Sequence, residues 1–238
     1  MSIKRTLYFD CFSGISGDMI LGALVDLGVD LNAIRKDLEG LDVRGYKLTS
    51  HRVKRNGIGG TKVDVVLDGL ALKQHHRSFS DIKSLIKESQ LSQKIKSDSI
   101  KIFRRIGQAE AQVHRTTLNK IHFHEVGSID SIVDIIGGVL GISLLKTDKI
   151  YSSPLNTGEG LVKCEHGILP VPAPATLKLL KGIPCYSGGT KKELTTPTGA
   201  AFVGYFAKEF GSLPNMRILN AGYGAGAHEI KGIPNLLR

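Results

Sequence analysis

Between His122 and Leu145 the chain passes from an extended pattern to a long helical one, and that switch limits the folds open to it. His122 and His124 flank Phe123, so on an extended segment both imidazoles leave one face and the phenyl ring leaves the other. Glu125, Val126 and Gly127 lead to Ser128, which is suited to cap a helix. Asp130 then falls in the first turn, where the helix dipole favours an anion. Ile129, Ile132, Val133, Ile136 and Leu140 recur at helical spacing as a buried stripe. Asp130 and Asp134 stand off that stripe on a second face, which Gly137 and Gly141 continue. Carboxylates four residues apart repel, so the pair invites a cation, and the glycines let another element come close. Two imidazoles and three acids within thirteen residues suit metal or phosphate handling. A half-buried strand followed by an ordinary acidic helix start has the same spacing. No spacing here matches a closed zinc site.

Two further stretches repeat the grammar of a loop feeding a helix. Leu7-Tyr8-Phe9 reads as a strand ending at Asp10, followed by Cys11-Phe12-Ser13-Gly14-Ile15-Ser16-Gly17-Asp18. A helix follows with Met19, Ile20, Ala23, Leu24 and Leu27 on its apolar face and Gly28 as its stop. A Ser/Gly loop before a helix aims backbone N–H groups at an anion, which makes Ser13, Gly14, Ser16 and Gly17 candidate phosphate or carboxylate contacts. The loop lacks the Gly-Lys-Thr ending of a P-loop and the spacing of a dinucleotide fingerprint. Asp10 and Asp18 can hold a divalent metal or orient a substrate; a tight turn with Asp18 stabilising the helix start fits them equally. Thr195-Thr196-Pro197-Thr198 is the second such start, with Thr196 as cap and Pro197 as first helical residue.

The rest reads as alternating helices and strands. Tyr46 and Leu48, with Val63, Val65 and Leu67, show strand alternation on either side of Asn56-Gly57, a hairpin turn. Helices are expected from Asp30 to Gly40, around Ile82, Leu85 and Ile86, and from Gln93 to His114 with Ile95, Ile102, Ile106, Ala109 and Val113 inward. Glu110 and His114 lie four apart near the end of that last helix, which suits either ligand placement or simple dipole compensation. Strands are expected at residues 149–151 and 161–164, and a short helix from Pro174 to Gly182. No element is assigned to the glycine-rich stretch from Gly222 onward. The sum is an α/β fold with a mixed sheet and flanking helices, its strand order unread. It forms one region of 238 residues, or residues 1–70 with 120–238 around a helical insertion at 71–119.

Charge narrows the partners. With 32 basic against 22 acidic residues the formal charge is +10, which favours nucleotides and other phosphates. The basic residues are scattered and Trp is absent, so no nucleic-acid platform is expected. Cys11, Cys164 and Cys185 imply no disulfide framework, and no apolar run is long enough for a membrane span. A cytoplasmic location is the expectation, and a homo-oligomer remains compatible.

Taken in order, residues 10–19, 109–114, 122–134, His166-Gly167, 169–176 and 193–201 resemble the nickel insertion (LarC) family of nickel-pincer nucleotide biosynthesis. The resemblance implies a CTP-hydrolysing nickel insertase of the lyase class. It acts on pyridinium-3,5-bisthiocarboxylic acid mononucleotide and depends on manganese or magnesium. Nickel–carbon and nickel–sulfur bonds must form, so a protein base can assist removal of a ring proton. On this view His122 and His124 are transient nickel ligands and Glu125 a ligand or base. Asp10, Asp18, Asp130 and Asp134 supply divalent-metal ligands, and the Ser13–Gly17 and Thr195–Thr198 loops hold the substrate. The family continues past residues 233–238 into a CTP-associated domain that is absent here, so the chain alone need not complete the reaction. A non-catalytic nickel chaperone or store, binding through His122, His124 and His75-His76, is the alternative.

Overall fold

The computed structural model describes residues 4–69, 77–123 and 126–238. Helix α1 (Gly17–Asp26) follows strand β1 (Thr6–Phe9), and Gly28 with φ 105° turns the chain beyond it. Helix α2 (Leu31–Leu38) is capped by Asp30, whose carboxylate accepts from Asn32 N at 2.9 Å. Strands β2 (Tyr46–Arg55) and β3 (Ile58–Leu67) form the expected hairpin. Asn56 and Gly57 both take positive φ (45° and 83°), the conformation of a tight two-residue turn. Helix α3 (Phe79–Glu88) starts with a capping box between Ser78 and Asp81. Helix α4 (Gln93–Val113) covers the predicted range.

Helix α5 (Ile129–Leu145) carries the fold's centre. Its stripe residues are buried, and they join one continuous core that runs from Phe9 to Leu237. Each fully buried Leu or Ile there contributes roughly 1.5–3 kcal/mol. The glycine face inferred from sequence is filled by α1. A Cβ at Gly137 would stand 3.0 Å from Leu21, and one at Gly141 would stand 2.8 Å from Leu24. Small residues on α5 thus draw α1 close and set the two helix starts side by side.

Strands β4 (Lys149–Ser152) and β9 (Glu209–Phe210) join β1 in a parallel sheet of order β1-β4-β9. A second, mixed sheet has the order β11-β10-β3-β2, where β10 is Gly224–Ala225 and β11 is Leu236–Leu237. Two two-stranded pieces complete the pairing: β5 (Leu155–Asn156) with β8 (Cys185–Tyr186), and β6 (Leu161–Cys164) with β7 (Gly167–Pro170). Helices α6 (Pro174–Leu179) and α7 (Pro197–Phe206) both begin on proline. The architecture is α/β with mixed sheets, as the sequence implies.

Three local expectations are revised. Val113 is half-buried rather than inward, because α4 stops there and His114 closes its last turn. Helix α6 ends at Leu179, three residues before Gly182. Ser128 occupies the N-cap position of α5, but its hydroxyl donates to the Asp130 carboxylate instead of accepting from the backbone.

Candidate functional site

The two loops singled out as helix starts are joined to each other. Ile15 N donates to Leu194 O (2.9 Å) and Thr196 N donates to Ile15 O (3.1 Å), a parallel bridge between the approaches to α1 and α7. Gly14 (φ 81°) and Gly199 permit it: a Cβ at either would run into the opposite loop's backbone. This zipper consumes part of the predicted binding set. Thr195 is buried with its hydroxyl on Asn156 O (2.7 Å), and Ser13 is buried without contact to the cleft described next. The residues that follow are the ones left facing out.

Those residues line a cleft of about 360 Å³ on which the starts of α1, α5 and α7 converge. Ser16, Gly17 and Asp18 come from α1, Asp130, Ser131 and Asp134 from α5, and Thr196, Pro197 and Thr198 from α7. Lys62, Asp64 and the neighbouring backbone of β3 make the floor. Ser16 donates its hydroxyl to Asp18, whose carboxylate also takes Met19 N at 2.9 Å. Lys62 is almost fully buried, and its ammonium sits 2.8 Å from Asp18 Oδ2, 2.9 Å from Asp64 Oδ1 and 3.0 Å from Val63 O. Burial opposes that charge, but Asp18 and Asp64 outweigh it and hold the lysine above its ordinary range.

Asp134 is the odd member. It opens slightly to the cleft yet is ringed by protein, with a Cβ at Gly17 placed 2.6 Å from its Oδ2. Among the described residues no hydrogen bond reaches its carboxylate, and Lys62 is already engaged by Asp18 and Asp64. Desolvation first, then the charges of Asp18, Asp130 and Asp64, push its pKa well above the carboxylate range, with Lys62 opposing. The cleft floor therefore carries negative charge that one lysine does not balance.

The other predicted residues lie elsewhere. Asp10 is tied to the last strand: its N donates to Arg238 O (2.8 Å) and Arg238 Nε donates to its carboxylate (3.1 Å). It does not line the cleft. His122 is exposed and bridged to Ser78, with Phe123 buried behind it, as alternation requires. His124, Glu125, His75 and His76 lie outside the described residues. Among the described residues no three His, Cys, Asp or Glu side chains stand close enough to enclose a metal ion. Cys11 is buried, and desolvation drives its thiol to about 12, which makes it inert at neutral pH.

Sequence reasoning missed Lys62 and Asp64. Their signal was available: they alternate with Val63 and Val65, so both leave the same face of β3. A larger cleft of about 570 Å³ between α2, α5 and the α3–α4 turn holds no comparable convergence of charge.

The site is thus an α/β core with three helix starts meeting over an acidic, lysine-bearing floor; helix starts in general favour anions, and carboxylate clusters favour cations. The chain belongs to the nickel insertion protein family, whose pattern matches residues 7–238. It is 51% identical over 235 residues to the pyridinium-3,5-bisthiocarboxylic acid mononucleotide nickel insertion protein of Desulfitobacterium hafniense (strain DCB-2), covering 98% of this chain and 57% of that protein. The protein of the same name from Geobacillus kaustophilus (strain HTA426) is 45% identical over 241 residues, covering 98% and 59%. The chain thus spans somewhat under two thirds of these relatives' length. No solved structure matches it significantly. No described helix is long and apolar enough to cross a membrane.

Proposed function

We propose that the chain takes part in inserting nickel into pyridinium-3,5-bisthiocarboxylic acid mononucleotide, and that the cleft holds the substrate's anionic groups. The observation that carries this is the convergence of three helix starts and Lys62 on one cavity of about 360 Å³. The α7 start, with its Thr196 and Thr198 hydroxyls and no acidic residue in its first turn, takes the phosphate. The α1 and α5 starts carry their own carboxylates and take the cation. Asp134, ringed by protein at the edge of the cleft and without a hydrogen-bond partner among the described residues, fits a hard divalent ion such as magnesium or manganese. Such an ion needs only one or two carboxylates, here Asp134 with Asp18 or Asp130, plus phosphate oxygens and water. When bound, it neutralises the phosphate and the acidic floor together.

Nickel is cargo. Its carbon–nickel bond forms as a ring C–H proton leaves and the bonding electron pair passes to the metal. Glu125, adjacent in sequence to cleft-lining Val126, is the proposed proton acceptor, with His122 and His124 as transient nickel donors. CTP dependence and hydrolysis are assigned to the full-length protein. The chain is to be combined with the C-terminal portion of the Desulfitobacterium relative, CTP, manganese, nickel and the mononucleotide, and the product read by mass spectrometry. Nickelated product that disappears on Lys62→Met and Asp134→Asn supports the reading; product that persists in both variants overturns it. Nickel binding without any product favours the chaperone instead.

A further inference from the structure

Lys62 lines the cleft with nothing left to donate. Its ammonium has three hydrogens, and three acceptors take them: Asp18 Oδ2 at 2.8 Å, Asp64 Oδ1 at 2.9 Å and Val63 O at 3.0 Å. An anion arriving in the cleft can therefore reach this lysine only if one acceptor lets go. The three are not held alike. Val63 O belongs to the backbone of the same strand, one residue away. Asp18 is fixed from two sides, by the Ser16 hydroxyl and by Met19 N at 2.9 Å, and of the two carboxylates it does more to keep the lysine charged. The Asp64 side chain is the more open, 36% exposed against 24% for Asp18, and its Oδ2 lies 3.5 Å from His51 Nδ1. His51 stands opposite Lys62 in the β2–β3 register, so it leaves the same face of the hairpin, from the outer strand of the sheet. Asp18, Lys62, Asp64 and His51 thus form one line of alternating acid and base from the start of α1 to the sheet edge.

We propose that Asp64 is the acceptor that lets go, and that His51 is the positioning residue that receives it when an anionic group of the ligand takes its place on Lys62. This holds if the cleft is the anion site described under Proposed function, and it adds how a buried, saturated lysine is opened to a ligand. An imidazole changes charge between about pH 5 and 8. A protonated His51 pulls on Asp64 and loosens its hold on Lys62, so anions bind more tightly on the acid side. The charged groups on the face of His51 are Asp64 and Lys62 of β3, with Asp18 of α1 beyond Lys62. Strand β2 adds Lys47 and Arg55 on that face, each four positions away, while Thr49 and Val53 between them carry no charge.

The test follows inorganic phosphate by phosphorus NMR titration of the purified chain at low salt, at pH 6 and at pH 8. It compares the parent with His51→Gln, Asp64→Asn and the double variant. Asp64→Asn, which no longer competes as an anion, should tighten binding roughly tenfold at both pH values, the worth of one hydrogen bond to a charged group. His51→Gln should weaken binding about threefold at pH 6, the size of an exposed ion pair, and leave it unchanged at pH 8. Comparison at one pH cancels the titration of phosphate itself. In the double variant the effect of the histidine should vanish, because it acts only through Asp64. His51 is mostly exposed, so His51→Gln keeps the fold and carries the test even if Asp64→Asn unfolds. Equal binding by the parent and His51→Gln at pH 6, binding indifferent to Asp64→Asn, or a histidine effect that persists in the double variant overturns the proposal alone. Phosphate that binds none of these proteins overturns it together with the reading of the cleft.

Discussion

The starts of α1 and α7 come from loops of similar composition, are bridged to each other, and open on the same cleft, yet they differ in charge. At α1 the first turn carries Asp18, which takes Met19 N for itself and pairs with Lys62. At α7 the first turn holds no acid, and Thr196 caps Gly199 N at 3.3 Å. A helix start that brings its own anion has its dipole already answered, whereas one with hydroxyls only still attracts an anion from outside. The cleft is therefore uneven: on the α1, α5 and β3 side an acidic floor whose helix starts carry their own carboxylates, and, as the wall at α7, a helix start whose first turn carries none. The chemistry proposed for the site follows from that asymmetry more than from any single residue.

The most severe way to break the floor is to remove its lysine. Lys62→Met leaves Asp18 and Asp64 without their buried cation and adds their charge to that around Asp134. Losing one partner of a buried pair should cost about 3 kcal/mol, read by urea unfolding at low salt. Millimolar magnesium should recover part of the loss if a cation can replace the ammonium. Next comes Gly17→Ala, whose new methyl would lie 2.6 Å from Asp134 Oδ2 and 2.7 Å from its Cβ. Overpacking of that kind should cost about 2 kcal/mol in the same assay.

Asp134→Asn has the opposite sign. The folded-state pKa is raised, so folding prefers the protonated acid, and ionisation is penalised as pH rises from the ordinary carboxylate value toward the folded one. Stability from this group is thus fully present in acid and lost on the way to neutral pH. The asparagine variant, which cannot ionise, should match the parent near pH 4 and be more stable by about 1 kcal/mol at pH 7.5 without divalent ions. Added magnesium should stabilise the parent and not the variant. Equal stability of the two proteins at pH 7.5 would mean that the floor is already balanced.

How much of this arrangement the sequence disclosed depends on whether the signal was local. The helix starts at Gly17, Ile129 and Pro197 are written in caps, small residues and stripe periodicity, and each falls within a residue or two of its expected place. The sheet that supplies the floor is not written locally. Strands β10 and β11 come from a glycine-rich tail with no alternation to read, and Gly224 pairs with Thr61 and Leu237 at a place where the Met19 carbonyl of α1 leaves no room for a Cβ. Lys62 and Asp64 show alternation, but nothing near them in sequence says that α1 and α5 will cover that face of β3. The same limit separates Thr195 from Thr198. Both are hydroxyls at a helix start, and only the bridge to Ile15 decides that one is structural and the other faces the cleft.

Thr198 gives the smallest effect on folding and the most direct reading of the wall. It sits in the first turn of α7, lines the cleft, and its side chain makes no hydrogen bond among the described residues. Thr198 is mostly buried, so Thr198→Val, which keeps the shape and removes the hydroxyl, should leave stability unchanged or raise it by up to about 1 kcal/mol. Thr196→Val, in contrast, deletes a cap and should cost about 1 kcal/mol. If α7 is where a phosphate docks, Thr198→Val should weaken binding of the mononucleotide roughly tenfold, the loss expected for one hydrogen bond to a charged group. The effect should persist when magnesium is omitted, because the wall acts without the floor's cation. A loss seen only with magnesium present would instead place the phosphate on the ion held by Asp134, and the two halves of the cleft would then be one site rather than two.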